Sequence, residues 1–115
     1  MRRGDVYWAE LTPRSGSEQT GRRPVVLVSH DAFQQTAGWM SIIVVPITTS
    51  VAQVRHGPSV VRIPAGMGGL SKNSAAICHQ ITTLDRSKLR TKIGALPHEI
   101  LEEIAGGLKA AMDLD

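Results

Sequence analysis

The sequence is poor in cysteine, aromatic residues and long apolar runs. Its one cysteine, Cys78, has no partner for an internal disulfide, which points to a reducing compartment rather than export. No apolar stretch approaches the length of a bilayer span. The opening Met1-Arg2-Arg3-Gly4-Asp5 is not followed by the apolar segment of a signal peptide, so none is expected and the expected location is cytoplasmic. Aromatic residues make up 3% of the 115, so aliphatic side chains must fill the core. Few rings are left for stacking bases along a single strand. The four histidines (His30, His56, His79, His98) stand at no metal-ligand spacing, so no metal site is expected. Neither a Gly-x-x-x-x-Gly-Lys-Ser/Thr phosphate loop nor a Gly-x-Ser-x-Gly elbow is present, which leaves the common nucleotide-binding and nucleophile motifs unsupported.

What is present is a basic body with an acidic end. Residues 97–115 hold five acids and one base, whereas the rest holds twelve bases and five acids. Nine of the thirteen bases are arginine. A planar guanidinium binds two phosphate oxygens at once, so this bias suits a polyanion, although a solvated basic surface would show it too.

Short strand-like segments follow one another, and a helix closes the chain. Residues 4–11 are aromatic and β-branched, and 24–29, 41–47 and 60–63 are apolar runs of strand length. Pro24 should open its strand and Pro46 should mark an end or an edge, because neither has an N–H for a ladder. Residues 30–35 suit one helical turn, 64–73 a glycine-rich turn, 85–89 a short turn, and 92–96 a last short strand. Residues 74–84 read as one alternating strand, with Cys78, Gln80 and Thr82 on one face and Ile77, His79 and Ile81 on the other. From Pro97 onward, Ile100, Ile104, Leu108 and Ala111 form one helical stripe, with Glu99, Glu102 and Glu103 in the early turns. Gly106 and Gly107 either weaken this helix or admit a close neighbour. The pattern predicts a mainly β, small antiparallel sheet or barrel with the helix packed on it.

One region gathers reactive groups. Residues 12–22 form a polar, glycine- and proline-containing loop that is long for a small domain, as functional loops often are. It delivers Arg22 and Arg23 to the start of a buried strand, where Arg23 is held extended by the following Pro24. A separate strand ends in Thr48-Thr49-Ser50, whose hydroxyls could donate to phosphate oxygens. Side by side, these ends would suit RNA cleavage by the neighbouring 2′-hydroxyl. That reaction needs a proton acceptor, a donor for the leaving oxygen, and donors around the phosphorane, and no metal. Two surface arginines and a turn-capping threonine fit the same residues, and the pattern alone leaves both open.

Three ordered blocks carry a resemblance. They are Arg3-Gly4-Asp5-Val6-Tyr7-Trp8-Ala9-Glu10-Leu11-Thr12-Pro13 running on to Gly16-Ser17-Glu18-Gln19, Gly21 and Arg23-Pro24-Val25-Val26; then Val45-Pro46-Ile47-Thr48; then His79-Gln80-Ile81-Thr82-Thr83-Leu84-Asp85-Arg86-Ser87-Lys88-Leu89. Over about residues 2–112 the chain resembles the MazF/PemK (Kid-like) family of toxin endoribonucleases. The resemblance implies one toxin domain over 1–115, built as a Src-homology-3-like barrel of the PemK/CcdB type with a C-terminal helix. It implies a homodimer without cofactor that cleaves single-stranded RNA at short motifs, leaving 2′,3′-cyclic phosphate and 5′-hydroxyl ends. It also implies a cognate antitoxin whose acidic, disordered tail wraps the toxin. Arg23 and Thr48 match the family's catalytic arginine and threonine, Glu18 and Gln19 fall in its substrate-binding loop, and Gln80 matches a glutamine near the site. Arg22, Thr49 and Ser50 complete the expected substrate contacts. Some relatives carry histidine where this chain has Arg22, so the proton acceptor stays open among Glu18, a histidine such as His79 or His56, and solvent. The alternative on the same fold is a CcdB-like gyrase poison without nuclease activity.

Overall fold

A computed structural model describes residues 1–11, 21–51 and 57–115. Among the described residues there are seven strands: β1 (Asp5–Glu10), β2 (Arg22–Leu27), β3 (Ser41–Thr48), β4 (Val60–Ile63), β5 (Ser74–Ile77), β6 (Thr82–Asp85) and β7 (Leu89–Ala95). Two α-helices accompany them, α1 (Asp31–Gln35) and α2 (His98–Met112), with single 3-10 turns at Met67–Gly69, Cys78–Gln80 and Arg86–Lys88. The strands run in the order β4-β5-β3-β2-β1-β7, with β6 also on β3, and every described pairing is antiparallel.

The central strand is β3. On one edge Val44, Val45 and Pro46 pair with β2. On the other edge residues 41–44 pair with β6, and Ile47 and Thr48 pair with β5. Pro46 therefore lies inside a central strand, contrary to the end or edge expected of it. It falls where the second edge changes partner and the ladder is already interrupted, a break that tolerates a missing N–H. Pro24 likewise is the third residue of β2, not the first. Pairing with β1 starts at Arg22 opposite Glu10, whereas pairing with β3 starts only at Val25.

The strand expected over 74–84 is broken in two. Residues 78–80 form a 3-10 turn between β5 and β6, so the alternation expected of Cys78, His79 and Gln80 does not hold. The turn drops the Cys78 thiol into the core, where it donates to the Ile104 carbonyl at 3.7 Å. Cys78 lies against Gly107, whose missing Cβ would stand 2.7 Å from its Sγ. Gly107 thus admits the close neighbour that sequence allowed, while a Cβ on Gly106 would meet nothing within 4 Å.

Strand alternation feeds two cores. Val6, Val26, Val45 and Ile47 point to a core shared with Val61, Ile63, Leu96 and the α2 residues Ile100 and Ile104. Their neighbours Ala9, Val25, Leu27, Ile42 and Val44 point the other way, to a core closed by Leu11 and Leu84. The helical stripe is buried at Ile100, Ile104 and Gly107, half-buried at Leu108, and exposed at Ala111.

No ladder joins β4 to β7 among the described residues. The turn after β4 closes the roll by packing instead. Gly68 (φ +62°) and Gly69 (φ +78°) press on β7 so closely that a Cβ on Gly94 would stand 2.7 Å from the Gly68 carbonyl. The result is the barrel-like antiparallel sheet with a C-terminal helix that sequence predicted.

Candidate active site

The β2–β3 register sets the geometry of the site. Val25 faces Pro46, Val26 faces Val45 and Leu27 faces Val44. Arg23 precedes Val25 by two residues and Thr48 follows Pro46 by two, so both lie at the neighbouring ends of these adjacent strands. Strand alternation aims both side chains to the face of Val25 and Val44. Arg23 also faces the buried Ala9 of β1, whose small side chain crowds it little.

Thr48 is 3% exposed, and its Oγ1 accepts a hydrogen bond from the Ser50 N–H at 3.1 Å. That bond leaves the hydroxyl proton to be donated elsewhere. A side chain so covered is fixed in direction. Arg23 is half-buried, and Arg22 is exposed opposite Glu10, a cross-strand pair of opposite charge. Thr49 and Ser50 are exposed beyond the end of β3. Gln80 is half-buried and ends the 3-10 turn that packs beside β3 where its partner changes. Glu18 and Gln19 lie outside the described residues, as does His56. The structure therefore brings Arg22, Arg23, Thr48, Thr49 and Ser50 to one rim.

The described histidines are engaged elsewhere. His30 caps α1, its Nδ1 accepting from the Ala32 N–H at 3.0 Å, at the far end of β2 from Arg23. His79 pairs through Nδ1 with the Ser59 hydroxyl at 2.8 Å. His98 lies on α2 beside Glu102 at 3.3 Å. Among the described residues no group of three His, Cys, Asp or Glu side chains converges. Burial pushes the Cys78 thiol up to about 11, which keeps it protonated and unreactive.

Sequence reasoning missed Trp8. It is 38% exposed although aromatic residues are scarce, and it faces Pro24 across the β1–β2 ladder. Its signal was its place in the period-2 pattern of β1, where Trp8 shares a face with Val6.

The chain as a whole has counterparts. Residues 2–112 match the family described as PemK-like, MazF-like toxin of type II toxin–antitoxin systems. The chain is 35% identical to Endoribonuclease MazF of Staphylococcus saprophyticus, covering 99% of this chain and 92% of that protein. It is also 35% identical to Endoribonuclease EndoA of Bacillus subtilis, covering 99% and 96%. The crystal structure of MazF from Deinococcus radiodurans superposes with a TM-score of 0.80 at 26% identity, covering 99% of this chain and 97% of that one. These relatives lend no support to the gyrase-poison alternative. With the match spanning nearly every residue, the chain belongs to the PemK-like, MazF-like toxin family of type II toxin–antitoxin systems.

Proposed function

We propose that this protein is the toxin of a type II pair and a sequence-specific, metal-independent endoribonuclease acting on single-stranded RNA such as mRNA, so that it inhibits translation and growth. The observation that supports this reading is strand alternation on the adjacent strands β2 and β3, by which Arg23 shares a face with Val25 and Thr48 with Val44, the two residues lying at neighbouring strand ends. Relatives named as endoribonucleases at 35% identity over nearly the full length support it.

In this reading the 2′-oxygen attacks the adjacent phosphorus, its proton passing to a base, as the bond from phosphorus to the 5′-oxygen breaks. The 5′-oxygen takes up a proton, and the ends are a 2′,3′-cyclic phosphate and a 5′-hydroxyl. A guanidinium stays protonated to a pKa above about 12, so Arg23 is a poor base. Its role is to stabilise the charged phosphorane and to stand as donor to the leaving oxygen. Thr48, oriented by the Ser50 N–H, donates to a non-bridging oxygen. With His30, His79 and His98 engaged elsewhere, Glu18, His56 and water are the proton acceptors this reading retains. Glu18, Gln19, Arg22, Thr49, Ser50 and Gln80 are its substrate contacts.

The same reading includes a homodimer in the cytoplasm and an antitoxin with an acidic disordered tail, drawn to the basic body and folding as it binds. A structure of MazE with MazF from Deinococcus radiodurans, at TM-score 0.74 and 26% identity, supports that partner. Incubating the purified protein with mixed single-stranded RNA in EDTA tests the function. Cyclic-phosphate ends are expected. Intact RNA, or cleavage that needs added metal, overturns the reading.

A further inference from the structure

A pocket of about 440 Å³ opens at the same rim, on the other face of the sheet. Two of its lining residues are sequence neighbours of the candidate catalytic pair: Pro24 follows Arg23, and Thr49 follows Thr48. Alternation along β2 turns Pro24 away from the Arg23 face, so pocket and site lie on opposite faces of the sheet at neighbouring strand positions. Trp8, facing Pro24 in register, forms one wall with its part-exposed indole, and Ile93 adds apolar surface. Thr49 and Ser71 bring hydroxyls, and Lys72 brings an exposed ammonium group.

The walls are braced before any ligand arrives. The Gly66 N–H donates to the Leu70 carbonyl at 2.6 Å, and the Ala65 N–H to Asn73 Oδ1 at 2.9 Å. Ser74, also in the lining, donates to the Lys72 carbonyl at 2.8 Å. Gly69 is packed directly on Ile93 of β7.

We propose that this pocket takes one unstacked nucleobase of the RNA, next to the scissile phosphate, between Trp8 and Pro24, with Lys72 holding the phosphate attached to it. The proposal rests on the ribonuclease reading and adds a specificity-determining subsite to it. An apolar slot with an indole wall and hydroxyls at its mouth matches a base with polar edges. An ammonium beside it matches the backbone charge, and the volume is that of a small-molecule site rather than of a folded partner. A chain crossing the rim would present its phosphodiester to Arg23 and Thr48 while its neighbouring base enters from the other side.

The test compares wild type, Trp8→Ala, Trp8→Phe and Lys72→Ala on mixed-sequence single-stranded RNA. Cleavage ends are mapped by sequencing, and KM and kcat are measured on one RNA that the wild type cuts. Trp8→Ala should raise KM about 10-fold with kcat nearly kept, because base–aromatic stacking contributes on that scale. It should also relax the base preference at one position beside the cut, leaving the others unchanged, and Trp8→Phe should restore both. Lys72→Ala should raise KM and flatten its salt dependence without altering any base preference. Unchanged KM and an unchanged profile in folded Trp8→Ala and Lys72→Ala overturn the subsite while wild-type cleavage leaves the function standing. Absence of cleavage by the wild type overturns the function itself. A Trp8→Ala protein that cuts RNA as the wild type does but no longer binds an acidic antitoxin peptide assigns the pocket to that peptide and overturns the base. If Trp8→Ala does not fold, Trp8→Phe and Lys72→Ala decide, and wild-type KM in both overturns the proposal.

Discussion

The two ends of β3 are built for different tasks. At the Ser41 end, one side chain holds three segments together. The Arg86 guanidinium donates to the carbonyls of Phe33, Gln34 and Trp39 at 3.2, 2.9 and 3.0 Å. It thereby satisfies the last carbonyls of α1, which a short helix leaves without partners. Phe33 and Trp39 stack beside it with centroids 4.8 Å apart. At the Thr48 end the chain instead leaves the sheet with a buried hydroxyl, held by one N–H and turned by strand alternation to the same face as Arg23. One end fixes the strand in place, and the other presents groups that order there has aligned. Function and stability should therefore separate along a single strand.

Substitutions at the two ends can break that comparison. Arg23→Ala should lower the cleavage rate by about 10³-fold or more, the scale on which a guanidinium supports charge at a reacting phosphoryl group. Its melting temperature should stay near the wild-type value, and a single-turnover assay beside a thermal melt checks both. Thr48→Ala should lower the rate by about 10²–10³-fold, as the loss of one positioned donor does. An unchanged rate would remove Thr48 from the mechanism. Arg86→Ala should reverse the pattern, costing about 1–3 kcal/mol in urea unfolding because helix-end carbonyls lose a charged donor, with kcat on the folded protein retained.

The adjacent glycines of α2 sharpen the same contrast at smaller scale. Gly107→Ala should cost about 1–3 kcal/mol, since its Cβ would be driven into Cys78 in a packed core. Gly106→Ala meets open space and should gain up to about 0.8–1 kcal/mol from helix propensity. Equal shifts in the two urea midpoints would show that the helix does not pack as described.

Much of the fold was legible because its signals are local. The strand near 4–11, the strand over 60–63, the turn over 85–89 and the closing helix all follow from periodicity and turn residues within a few positions. The misreadings arose where distant partners decide. Residues 74–84 alternate well enough for one strand, yet Cys78 has to reach Gly107 and β3 has to exchange β6 for β5, so a 3-10 turn interrupts it. Pro24 and Pro46 were placed by a rule about ladders whose edges only the topology defines. In the site, the residue types at 22–23 and 48–50 were readable, but their meeting was not. It depends on a register between strands joined through α1, and only the resemblance anticipated it. Trp8 escaped notice because scarce aromatic residues are expected to serve the core, whereas Trp8, Phe33 and Trp39 all keep a third or more of their surface in solvent.

The most direct measurement is a double-mutant cycle on the cleavage rate with Arg23→Lys, Thr48→Ala and the combined variant. If both side chains stabilise one phosphorane, the combined variant should lose much less than the product of the two single losses, as residues acting as a unit do. Losses that simply multiply would mean that the two groups act independently, and would contradict a shared site.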